Sequence, residues 1–139
     1  MTRVAVYGTL KAGHGNCGYL ENAEFLGRCL APSDFLMVDL GAFPGAIKKK
    51  GLEGDEFQEA QPISLEVYKV TEEELHGCDL LEGNGSFYTR EQINTPWKKT
   101  WIYILPQDRY SHMPVVSSGS WEPMQAEKNY LQDLRNNEG

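Results

Sequence analysis

Two short stretches of this chain have the residue types for chemistry. Near the start, an apolar run, Val4-Ala-Val-Tyr7, breaks into a glycine-rich segment, Gly8-Thr-Leu-Lys-Ala-Gly-His-Gly-Asn16. A turn at that point aims backbone N–H groups outward, which is how small anions such as carboxylates are held. The second stretch is Asp79-Leu-Leu-Glu-Gly83, with Tyr88 close behind it. Together they suggest a small-molecule site in which one carboxylate works as acid and base.

The elements that must position these residues are mostly strands. Val4 to Tyr7 reads as the first strand, and Phe25 to Ala31 and Phe35 to Leu40 read as extended segments around a Pro32-Ser33 break. Gly41-Ala-Phe-Pro-Gly45 reads as a second turn cluster, and the acidic, polar segment Gly51 to Gln61 as an exposed loop. From Ile63 to Val70 apolar and polar residues alternate as in a half-buried strand, with a slip of phase at Tyr68 that suggests a bulge. Thr71-Glu-Glu-Glu74 has the form of a capping box and predicts a short helix over about 72–81, which carries Asp79 toward position 82. Phe87 to Thr95 and Thr100 to Leu105, joined through Pro96, read as a hairpin or as a pair of neighbouring barrel strands. Gln107 to Ser120 is loop-like, and Met124, Leu131 and Leu134 give the tail a weak helical period.

The chain has 139 residues and a formal net charge of −7. That length accommodates one domain, expected over 1–121, with a tail over 122–139 packing on it. The acidic balance argues against nucleic acid as a partner, since the single basic run, Lys48 to Lys50, sits beside Gly51 in a solvated turn. No apolar stretch is long enough to span a bilayer, and Met1-Thr2-Arg3 leads straight into a strand, so no membrane partner is expected and a cytoplasmic location is. Cys17, Cys29 and Cys78 are odd in number and lack a C-x-x-C pair, so they read as plain reduced residues. His14, His76 and His112 lack ligand spacing, and neither a nucleophile elbow nor H-E-x-x-H occurs, so no metal is expected.

Several strands with few short helices, in no regular alternation, point to an α+β fold built on a small mixed β-barrel. Gly13-His-Gly-Asn-Cys-Gly18 formally matches the dinucleotide fingerprint, with Asp39 at about the distance of a ribose contact. In a dinucleotide fold, however, the first glycine closes the strand directly, whereas five residues separate Tyr7 from Gly13 here. A glycine-rich loop that needs positive φ explains the segment more simply.

At this point the sequence resembles a known family. Val4-Ala-Val-Tyr-Gly-Thr-Leu-Lys-Ala-Gly-His-Gly-Asn16 is similar to the opening signature of the γ-glutamylcyclotransferase-like proteins, which include γ-glutamylamine cyclotransferases and AIG2-like proteins. Leu65-Glu-Val-Tyr-Lys-Val70, Leu80-Leu-Glu-Gly83 with Phe87-Tyr-Thr-Arg90, Trp101-Ile-Tyr103 and Ser118-Gly-Ser-Trp121 resemble further family segments in the same order. The resemblance runs from about Val4 to Trp121. Two departures are visible: Glu66 stands where a small residue is common, and the spacing from Leu80 to Phe87 differs in detail.

The resemblance implies a cyclotransferase acting on a small γ-glutamyl amine or γ-glutamyl amino acid. The substrate's α-amine attacks its own γ-carbonyl, giving 5-oxoproline and a free amine, with no cofactor because both reacting groups belong to one molecule. It implies Glu82 as the acid/base, Tyr7, Gly8, Thr9 and Leu10 as binders of the α-carboxylate and amine, and Tyr88 as a pocket residue within reach of Glu82 or the γ-carbonyl. Asn16 and Arg90 are weaker candidates. Tyr7 and Leu10 read equally well as core residues, with backbone groups still able to bind ligand.

An ordinary glutamate, with a pKa of about 4.3 against about 8 for an α-amine, would be a poor base by roughly 5 kcal/mol. The end of a helix and the apolar neighbours Leu80, Leu81 and Phe87 are expected to raise Glu82. Two other readings keep the fold: a non-catalytic binding or regulatory module, and an enzyme that removes a γ-glutamyl protecting group from a biosynthetic intermediate. The group on the γ-carbonyl would be recognised by the loops Gly41 to Gly51 and Tyr110 to Ser120.

Overall fold

A computed structural model of the chain describes residues 2–7, 20, 23–41, 43–82 and 87–121, and for 81 and 82 the backbone alone. The expected tail over 122–139 therefore lies outside the described residues. Among the described residues seven strands and three helices follow one another as β1 (Thr2–Val6), β2 (Glu24–Leu30), β3 (Phe35–Asp39), β4 (Pro44–Lys48), α1 (Asp55–Glu59), β5 (Ser64–Val70), α2 (Glu72–Glu82), β6 (Thr89–Thr95), β7 (Lys98–Ile104) and α3 (Gln107–Tyr110).

Five strands form a mixed sheet in the order β2-β5-β1-β7-β6, and β3 and β4 form a two-stranded ribbon. The fold is α+β as expected, but the sheet is open rather than closed into a barrel. The ribbon is joined to it by the Leu105 amide, which donates to the Ala46 carbonyl at 2.8 Å. β1 lies centrally, antiparallel to β5 with Val4 opposite Tyr68 and parallel to β7 with Ala5 opposite Ile102. Both faces of these strands are covered. Val4, Val6, Tyr68 and Val70 pack with Leu36, Val38 and Ile47 of the ribbon and with Leu75 and Cys78 of α2. On the other face Ala5, Leu65, Val67 and Ile102 pack with Met37 and Trp121.

This double cover explains the slip of pattern in β5. Leu65, Glu66, Val67 and Tyr68 are all buried because a central strand has no solvent face. Pairing of β5 with β1 is unbroken from Val70 to Glu66, so Tyr68 marks no bulge. The irregularity is across the ladder, on β2 between Phe25 and Gly27. There the ring of Trp97 lies so close that a Cβ on Gly27 would sit 2.7 Å from it.

Three further expectations are corrected. The turn cluster 41–45 ends early, because Pro44 and Gly45 open β4: a proline is tolerated at the first strand position, and the Leu105 side chain occupies the space a Cβ on Gly45 would need. The acidic loop 51–61 contains the one-turn helix α1, none of whose residues is buried. The segment 107–120 contains α3 and is then tied down, since the Val116 amide donates to the Met37 carbonyl at 2.9 Å.

The capping box forms as written. The Glu74 amide donates to Thr71 Oγ1 at 3.1 Å, and the Thr71 amide donates to Glu74 Oε1 at 2.9 Å. The hairpin β6–β7 also forms, with Thr95 opposite Lys98.

Candidate functional site

The direction of α2 sets the geometry. At its start, Thr2 Oγ1 donates to Glu72 Oε1 at 2.9 Å, beside the first residue of β1. Two turns later Asp79 meets the hydroxyl of Tyr103, whose neighbour Ile102 pairs with Ala5 near the end of β1. A helix rises about 1.5 Å per residue and a strand about 3.3 Å, so α2 and β1 cover similar distances in the same direction. The last turn of α2, ending at Glu82, and the exit of β1 at Tyr7 therefore come out along the same edge of the fold, the one at the C-terminal end of β1.

Tyr7 is buried, and its hydroxyl donates to the Tyr103 carbonyl while accepting from the Ala46 amide at 3.1 Å. Its side chain is thus a core residue that stitches β7 to β4. Tyr88 is buried as well, and its hydroxyl donates to the Pro44 carbonyl at 2.6 Å. The two tyrosines, 81 residues apart in sequence, dock two residues apart on β4, at Ala46 and Pro44. Gly8, Thr9, Leu10 and Asn16 lie outside the described residues, as do the fingerprint match at 13–18 and the side chain of Glu82. Of the three residues expected to desolvate position 82, Leu80 is turned to solvent at 66% exposure.

Behind this edge lies a polar cluster that the sequence did not single out as a unit. Tyr103 donates its hydroxyl to Asp79 Oδ1 at 2.6 Å, and Arg90 Nε lies 3.0 Å from the same oxygen. The Arg90 guanidinium also stacks on Trp101, 4.3 Å from the ring centroid. Burial, reinforced by the bond to Asp79, pushes the Tyr103 phenol well above the ordinary tyrosine range, so it stays a neutral donor. Arg90, a weaker candidate for substrate, is engaged here as a structural partner. Asp79 and Tyr103 were each in a singled-out segment, but no periodicity connects residues 24 positions apart.

Phe87 lies beside Tyr88 and is partly exposed. Its ring meets Tyr88 at 4.9 Å, Phe43 at 5.9 Å and Tyr110 at 6.0 Å, all edge to face. Glu66 is buried on β5 and is met by Arg28 at 3.1 Å from β2. Cys29 and Cys78 take part in no disulfide, Cys78 being buried, and burial raises the Cys29 thiol above its ordinary range. Among the described residues no group of three or more His, Cys, Asp and Glu is placed to hold a metal ion, and no helix is long and apolar enough to cross a membrane.

Residues 4–123 match the family model described as gamma-glutamyl cyclotransferase, AIG2-like, and the chain belongs to that family. A Vibrio cholerae protein provisionally named a gamma-glutamylcyclotransferase is 36% identical over 118 residues, covering 85% of this chain and 93% of its own. The gamma-glutamylcyclotransferase family protein YtfP of Escherichia coli K12 is 29% identical over 119 residues, covering 86% of this chain and 95% of its own. Among solved structures, the solution structure of ytfP from Escherichia coli superposes with a TM-score of 0.61 at 30% identity, covering 86% of this chain and 96% of that one. A mouse AIG2-like protein superposes at 0.67 with 24% identity, covering 88% of both chains, and shares the fold.

Proposed function

We propose that this protein is a cyclotransferase that converts a γ-glutamyl amine or γ-glutamyl amino acid to 5-oxoproline and the free amine. The reading rests on family membership together with one observation: the end of α2 and the exit of β1 share an edge. That arrangement suits a reaction needing an anion-holding turn opposite a proton carrier.

In this reading the amides of Gly8, Thr9 and Leu10 hold the substrate's α-carboxylate, and the bent glutamyl arm brings its amine to its own γ-carbonyl. The amine nitrogen attacks the carbonyl carbon, and the Glu82 carboxylate accepts the proton that the nitrogen loses. As the carbon–nitrogen bond to the leaving amine breaks, Glu82 returns that proton to the departing nitrogen. One group serves both transfers, and no water or cofactor is consumed. The Tyr88 hydroxyl is engaged with Pro44, so Tyr88 contributes its ring to the wall of the site.

The test is release of 5-oxoproline from a panel of γ-glutamyl amines and γ-glutamyl amino acids by wild type and Glu82→Gln. The expected result is turnover by wild type and a loss of at least about a hundredfold in a normally folded variant. Absence of product from every member of the panel would instead favour a binding module on this fold.

A further inference from the structure

The rings of Phe43, Phe87 and Tyr110 come from three separate segments: the turn between β3 and β4, the approach to β6, and the end of α3. They meet at Phe87, which is 36% exposed although the next residue, Tyr88, is buried against β4. A large apolar ring left open beside a buried tyrosine of a candidate site is a surface awaiting an apolar partner. We propose that these three rings form the subsite for the amine that leaves, and that it takes an amine carrying an uncharged aryl or branched-alkyl group. This inference rests on the cyclotransferase reading, whose substrate it specifies.

Three features support it. First, continuity: Phe87 touches Tyr88 at 4.9 Å, and Tyr88 docks on β4 two residues from the docking point of Tyr7, so the cluster adjoins the residues that the cyclotransferase reading gives to the site. Second, geometry: interplanar angles of 77°, 84° and 87° hold the rings edge to face, a stable packing that presents ring surface to a fourth group. Third, anchoring: Tyr110 is partly buried against the main core and Tyr88 belongs to it, so two of the rings that meet Phe87 are held from behind. Among the described residues the cation–ring contacts are Arg28 on Phe25 and Arg90 on Trp101, and neither belongs to this cluster. An apolar group gains by leaving water here, whereas a charged one is desolvated.

The experiment compares kcat/KM for γ-glutamyl-benzylamide, γ-glutamyl-methylamide and γ-glutamyl-taurine. Wild type is expected to favour the benzylamide over each of the others by about tenfold or more, the scale of one apolar group in a pocket. Phe87→Ala and Tyr110→Ala are each expected to reduce the benzylamide-to-methylamide ratio severalfold. The ratio is taken within one preparation, so partial misfolding does not affect it. Equal or better use of the taurine compound, or ratios unchanged in both variants, would overturn the subsite.

If wild type turns over neither these three nor any member of the wider panel, the cyclotransferase reading fails instead. Benzylamine alone then decides the subsite. Titration that shifts the ring resonances of Phe43, Phe87 and Tyr110 upholds an aryl-amine site, and no shift up to about 10 mM, the weak end of small-ligand binding, rejects it.

Discussion

Tyr103 and Asp79 are joined by a 2.6 Å hydrogen bond that fastens β7 to the last turn of α2. The phenol donates to a carboxylate that also pairs with Arg90, and such bonds to charged groups are worth about 1.5–3 kcal/mol. Tyr103→Phe removes the donor while keeping the ring. We expect a melting temperature lower by roughly 5–12 °C in calorimetry, given the usual scaling for a domain of this size. An unchanged melting temperature would remove the role assigned to this bond.

The same pair gives a pH dependence of stability. The Tyr103 phenol is held above its unfolded value of about 10 by burial and by Asp79, so the folded state keeps a proton that the unfolded chain loses. This contribution is fully present below about pH 10 and declines as pH rises beyond it. Urea unfolding from pH 8.5 to 11 is expected to show wild type losing stability on the alkaline side more steeply than Tyr103→Phe.

Tyr88→Phe separates two roles for that residue. Its hydroxyl holds the Pro44 carbonyl, so the variant is expected to lose about 1 kcal/mol of stability while turnover falls less than tenfold. A loss as large as that expected of Glu82→Gln would make the Tyr88 hydroxyl a proton carrier instead.

Gly119 is expected to be intolerant of any side chain. Its φ is +71°, a Cβ there would lie 2.1 Å from the Pro62 carbonyl oxygen, and its own carbonyl accepts from the Ser64 amide at the head of β5. Gly119→Ala should therefore cost more than about 2 kcal/mol, because the obstructing atom is backbone. Gly51, with φ +88° and open space around it, is the control: Gly51→Ala should cost about 1 kcal/mol by chemical denaturation.

What was legible in the sequence was what depends on near neighbours. β1 is announced by Val4-Ala-Val, the capping box by Thr71 and Glu74 three residues apart, and the β6–β7 hairpin by Pro96 between two β-rich runs. β4 was missed because Pro44 and Gly45 carry turn chemistry, and only Leu105, sixty residues on, explains why glycine belongs in that strand. The closing of a barrel was expected because strand count alone does not specify how the edges end. The sequence marked the segments expected to carry the site, but not the Asp79–Tyr103–Arg90 cluster or the three rings around Phe87. Each arises from residues that only the topology brings together.

β1 has a consequence for how the chain acquires its shape. It is the earliest of the described strands, yet its ladder partners reach from Val70 on one side to Trp101 on the other. During synthesis this hydrophobic strand emerges before either neighbour exists, so its native pairing must wait for the residues of β5 and β7. Assembly of the sheet is thus a late, long-range event, and the protein should refold slowly for its size and benefit from holdase chaperones that shield Val4, Ala5 and Val6 in the interval.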